Sequence, residues 1–136
     1  MSDIVYRDAT VADVAGILAL WRGFWAPQPY EVNLESKIRD EPEMVCLAEV
    51  DGEIVGTVIG GFDGWWAWLY RIAVAPALQN RGIATHLVGE MQARLRSRGA
   101  TGVAVIVSEE NAAIRRVLER LGYTDRGYKM LGRPLR

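Results

Sequence analysis

Residues Gln79-Asn80-Arg81-Gly82-Ile83-Ala84-Thr85 join a glycine-led turn to the opening of an amphipathic helix. The first amides of a helix lack internal acceptors, so this arrangement aims several N–H donors at one spot, and the ligand that matches them is a phosphate or diphosphate. Gly82 lets the chain approach such a group closely, and Ala84 keeps the first helical turn uncrowded. The sequence has neither a full Gly-x-Gly-x-x-Gly dinucleotide pattern nor a Walker-type Gly-Lys-Ser/Thr. An anion cradle of a different kind is expected.

The elements that must position this cradle can be read from periodicity. Ile4 to Arg7 is expected as a first strand, and Thr10 with Asp13 three residues on resembles a capping pair for a helix whose apolar positions are Val14, Ile17, Leu18 and Trp21. Pro27 and Pro29 interrupt the pattern, and Leu34 to Asp40 is expected as a second helix. Asp51-Gly52 between two apolar runs, Met44 to Val50 and Glu53 to Gly60, predicts a hairpin. Trp65 to Val74 is the longest strand candidate. Simple alternation puts Trp66, Trp68, Tyr70, Ile72 and Val74 on one face, and Trp65, Ala67, Leu69, Arg71 and Ala73 on the other. Ile83, Leu87, Met91 and Leu95 recur every four residues, which predicts a helix from Gly82 to about Arg98. The apolar run within Gly102 to Val107 predicts a strand parallel to its predecessor, since a helix separates them. Asn111 is placed to cap a helix ending at Leu121-Gly122, and Tyr123 to Arg126 and Tyr128 to Leu131 are expected as a closing strand pair. The sum is one α/β or α+β domain, residues 1–136, with a mixed sheet.

Composition narrows the partners. With 16 basic and 17 acidic side chains among 136 residues, the formal charge of -1 favours no polyanion, and no nucleic-acid partner is expected. Arg115, Arg116 and Arg120, interleaved with Glu119, read as a solvated helix face. The single Cys46 rules out an internal disulfide, and with only His86 beside it no Cys/His metal site is expected. No run has signal-peptide or membrane-span character, so the expectation is a cytoplasmic protein without a membrane partner.

Val74-Ala75-Pro76 followed by Gln79-Asn80-Arg81-Gly82-Ile83-Ala84 resembles the Gln/Arg-x-x-Gly-x-Gly/Ala signature of the GNAT superfamily of acyl-CoA N-acyltransferases. The resemblance runs over nearly the whole chain. It takes in the early helix pair, the Asp51-Gly52 hairpin, the long strand, and Asn111 followed eleven residues later by Gly122-Tyr123. Within the superfamily the chain is similar to small single-domain bacterial members, including ribosomal-protein alanine acetyltransferases. The resemblance implies a mixed, mostly antiparallel sheet of about seven strands, about four helices, and one parallel strand pair at a cofactor cleft.

It also implies acetyl-CoA as cofactor, its diphosphate held by Gln79, Asn80, Arg81, Gly82, Ile83, Ala84 and Thr85. Its pantetheine arm would pair with the main chain of Ile72, Ala73 and Val74 as an added strand, and Asn111 would either contact the cofactor or serve only as a cap. The implied reaction moves acetyl to a primary amine: a protein amino terminus, a lysine or a small amine. An alkylammonium with a pKa of about 10.4 must lose a proton before it attacks, and the departing thiolate gains one, so a base and an acid are sought. Relatives often carry a tyrosine acid seven residues after the Asn, where this chain has Leu118. Substitutes are Tyr70, Ser108, Glu109, Tyr123 and Tyr128, with His86 weaker by its place on the helix. Loss of the acid leaves a second reading open, a non-catalytic acyl-CoA-binding or regulatory domain. Trp25, Tyr30 and Glu31 are expected to hold a cationic amine between aromatic faces and a carboxylate. Five tryptophans, three of them at Trp65, Trp66 and Trp68, also fit a homodimer interface.

Overall fold

The computed structural model describes residues 2–135. Strands β1 (Val5–Asp8), β2 (Val45–Val50), β3 (Glu53–Phe62), β4 (Ala67–Val74) and β5 (Ala104–Val105) form one sheet in chain order. The first three pairings are antiparallel and the β4–β5 pairing is parallel. Helices α1 (Val14–Trp21) and α2 (Leu34–Asp40) cover one face; α3 (Ile83–Ser97) and α4 (Ala112–Arg120) cover the other. α3 is the crossover that makes β4 and β5 parallel. Each face has its own core, with Ile17, Trp21, Ile38 and Leu47 in one and Leu69, Leu87, Met91 and Leu95 in the other.

Local chemistry accounts for the elements. Asp51 and Gly52 both take left-handed conformations, at φ 51° and 81°, which suits a two-residue turn matching the strand twist. The Thr10 amide and hydroxyl both donate to the Asp13 carboxylate, at 2.7 and 3.1 Å, ahead of α1. Asp13 also takes both Arg7 Nη atoms at 2.8 Å, and Arg7 holds its carboxyl well below the usual carboxylate range. Cys46 on β2 is buried, and burial pushes its thiol up to about 12.

Five expectations are corrected. The sheet has five strands among the described residues, where about seven were expected. Tyr123 to Arg126 and Tyr128 to Leu131, expected as a closing pair, lie in an irregular stretch, 123–135: Asp125 Oδ1 accepts the Gly127 amide at 2.8 Å, and such a local bond competes with a sheet ladder. The run from Gly102 to Val107 shrinks to Ala104–Val105, so little strand edge is left for another strand to join. At β4 the strand begins at Ala67, two residues late, because Asp63 Oδ1 accepts the Trp65 and Trp66 amides at 2.8 and 2.7 Å.

The fifth is a bulge in β4 that shapes the site. Between the pairs Thr57↔Ala73 and Ile59↔Tyr70, β3 advances two residues and β4 three, and Arg71 sits in the extra step with φ 51°. This bulge reverses the alternation. Ala67, Leu69, Ile72 and Val74 therefore share the α3–α4 core, whereas Tyr70 and Ala73 pack on the α1–α2 side.

Candidate active site

The loop from β4 to α3 makes a short helical turn at Pro76–Leu78 and then two left-handed steps, Asn80 at φ 65° and Gly82 at φ 81°. The His86 amide makes the bond back to the Gly82 carbonyl, at 3.0 Å, so the amides of Ile83, Ala84 and Thr85 precede the helical ladder of α3. No side chain caps this end. A Cβ on Gly82 would meet nothing within 4 Å, so the glycine answers the backbone angle and not a crowded neighbour. In front lies a cleft of about 200 Å³, lined by Val74, Gln79, Asn80, Gly82, Ile83, Ala84 and Thr85 and, from α4, by Ala113, Ile114, Val117 and Arg120. Donor amides on an open cleft with a cationic rim fit a diphosphate. Arg81 is exposed beside them.

Pairing of β4 with β5 ends at Trp68↔Ala104 and Leu69↔Val105, with one further bond from the Ile106 amide to the Leu69 carbonyl at 3.2 Å. Beyond that point the two strands part. The β4 edge from Ile72 to Val74 thus has no β5 partner, Val74 lines the cleft, and two side chains cap the edge's carbonyls: Asn111 Nδ2 donates to Ile72 O and Gln79 Nε2 to Val74 O, at 3.3 and 3.2 Å. Asn111 ties α4 to β4 and makes no side-chain cap bond. A carbonyl has two lone pairs, so both capped groups keep a second acceptor position.

A buried relay holds the bulge. Trp21 Nε1 donates to Thr57 Oγ1, and Thr57 Oγ1 donates to the Arg71 carbonyl, each at 2.9 Å. On the same side the Arg71 guanidinium lies 4.2 Å from the Trp25 ring centroid, 5.0 Å from Trp21 and 5.3 Å from Tyr30, and donates to the Tyr30 hydroxyl. The aromatic wall expected to hold an amine is therefore filled by the protein's own cation. Glu31, the expected carboxylate, is held by Arg22. Arg71 is the site residue that sequence reasoning missed. Its signal was an arginine inside an otherwise apolar strand.

The substitutes for the missing acid scatter. Tyr70 is half-buried on the α1–α2 side, near Gly61 and Lys37; burial and then the Glu41 charge raise its phenol, which stays protonated at neutral pH. Tyr123 donates to Gln92 and is pushed up to about 12 by burial. Tyr128 is 80% exposed with its ring against Trp66, and Glu109 is exposed. The Ser108 carbonyl accepts the Asn111 amide at 3.1 Å, which places Ser108 beside Asn111 ahead of α4. His86 is exposed and stacks on Tyr6 at 3.6 Å, and Leu118 lies in the α3–α4 core.

Comparisons with known proteins find relatives in sequence and in fold. An acetyltransferase of Photorhabdus laumondii is 40% identical over 96 residues, covering 71% of this chain and 67% of its own length. Aminoglycoside N-acetyltransferase AAC(6')-Iy, in complex with the bisubstrate analogue CoA-S-monomethyl-acetylneamine, superposes with a TM-score of 0.76 at 20% identity, over 98% of this chain and 99% of that one. A ribosomal-protein-alanine N-acetyltransferase of Brucella melitensis superposes with a TM-score of 0.75 at 18% identity, over 96% and 99%. The family model described as "Acetyltransferase (GNAT) family" matches residues 14–123, and with the relative above it establishes that the chain belongs to that family.

Proposed function

We propose that the protein is an N-acetyltransferase that moves the acetyl group of acetyl-CoA to the nitrogen of a primary amine by direct attack. The observation that carries this reading is the joining of two main-chain surfaces in one cleft: the Ile83, Ala84 and Thr85 amides, and the β4 edge left unpaired beyond Leu69. The first suits the diphosphate of coenzyme A, with Gln79, Asn80, Arg81 and Gly82 shaping the loop. The second suits the amide-bearing pantetheine arm, which would add to Ile72, Ala73 and Val74 as a short strand and bring the thioester up to the bulge at Arg71. The Thr57 and Trp21 relay keeps the main chain rigid there, so that donors stay aimed where negative charge develops.

Acetyl-CoA supplies the thioester: a C–N bond forms as the C–S bond breaks, and the proton lost by the amine balances the one gained by the thiolate. The acceptor would enter from the α1–α2 side, past Trp25, Tyr30 and Glu31. Tyr70 and Ser108 are the candidate acids that best fit this arrangement, one protonated on β4 and one beside Asn111, which bonds the β4 edge. The burial of Leu118 favours, as second reading, a module that binds acyl-CoA without turning it over. Acetyl-CoA incubated with peptides, polyamines, amino acids and amino sugars tests the choice. Free thiol above the amine-free background supports the enzyme; calorimetric binding with no thiol release supports the module; absence of binding defeats both.

A further inference from the structure

Arg71 occupies the extra step of β4, and the residue is only 8% exposed. A guanidinium keeps its charge at any pH a protein meets, and a buried cation without a counter-ion is a costly arrangement. Arg71 has no ion-pair partner among the described residues: Glu31 belongs to Arg22, and the cation rests on three ring faces and one phenol oxygen. Ring faces offset part of the cost but accept no directed bond at the guanidinium edge. Nη1 is buried and has no acceptor, while its neighbour Nη2 is on Tyr30.

An edge with one orphaned donor and one donor held by a single phenol oxygen matches a group with two coplanar oxygens, because the guanidinium fork pairs with a carboxylate through two parallel bonds. We propose that Arg71 receives the carboxylate of the acceptor, so that the amine acetylated here is a small amino-carboxylate. This rests on the acetyl-transfer reading given above. Tyr30 is 54% exposed on the short Pro29–Asn33 turn, and its hydroxyl is the group the carboxylate displaces. The location serves the chemistry as well. A fixed cation beside the bulge disfavours a second positive charge nearby, which shifts the entering ammonium toward the neutral amine that attacks.

The test compares α-, β- and γ-amino acids with their carboxamides as acceptors for the full-length protein with acetyl-CoA, with spermidine and phosphoethanolamine as carboxylate-free amines. At least one amino acid should exceed its amide about tenfold in kcat/KM, the difference expected for a charge-assisted pair. Arg71→Gln should bring that ratio close to one without changing calorimetric affinity for coenzyme A, and Arg71→Lys should restore part of it. Equal rates for acids and amides, preference for spermidine or phosphoethanolamine, no transfer to any amino acid, or an unchanged ratio in Arg71→Gln would each overturn the proposal. The acid–amide comparison on the unaltered protein decides even where a variant does not fold. If thiol is released with any amine, a negative result counts against Arg71 alone; if no amine gives thiol release, the acetyl-transfer reading falls and this inference with it.

Discussion

On the α3–α4 side of β4, the groups turned toward the cleft are mostly main chain: the first amides of α3 and the strand edge at Ile72 and Val74. On the α1–α2 side they are side chains: the Trp21, Trp25 and Tyr30 rings around Arg71. Main-chain donors tolerate most substitutions and respond chiefly to changes in φ or to bulk, whereas a side-chain cage changes character with one replacement. A scaffold divided in this way can hold its carrier constant while the acceptor varies.

The comparison can be broken most sharply at Gly82. Gly82→Trp should abolish coenzyme A affinity in calorimetry and leave the circular dichroism spectrum native, since a bulky residue in the left-handed region costs about 1–2 kcal/mol and the indole blocks the cleft. Retained affinity would show that the loop is not the cradle. Next in size is Trp21→Ala, which empties the α1–α2 core and removes the donor that holds Thr57; denaturant unfolding should show a loss of about 3–5 kcal/mol. A loss under 1 kcal/mol would mean that the relay does not hold the bulge. Asn111→Ala strips the cap from the Ile72 carbonyl and should cost about 1–2 kcal/mol by the same measurement, with weaker coenzyme A binding if the strand edge is used as proposed. The smallest effect concerns the outer edge of the acceptor side. Arg7 depresses the Asp13 carboxyl, so this pair adds stability above the unfolded carboxyl value, about 3.9, and loses it as pH falls toward the lower folded value. Asp13→Asn should therefore flatten the fall in thermal midpoint below about pH 4 while changing its slope little at pH 6.

Much of this division is legible in the residues. The four-residue spacing of Ile83, Leu87, Met91 and Leu95, the Asp51-Gly52 turn, and the glycine-led turn at Gly82 each depend on contacts close along the chain, and the helix, hairpin and turn they predict are present. The bulge does not, because it is a register mismatch between two strands, and one strand's alternation carries no trace of its partner's. The cage was hidden for the same reason. Trp25 and Tyr30 invite a cation, but only the bulge reveals that it comes from Arg71. The irregular end from Tyr123 has apolar spacing suited to strands; what it lacks is a long β5 edge to join.

Cys46 has a practical consequence. A thiol reacts with aromatic disulfide reagents through its thiolate, and a buried group pushed up to about 12 supplies almost none at neutral pH. Colour developed by such a reagent during turnover would therefore count liberated coenzyme A alone, with the native polypeptide adding no background.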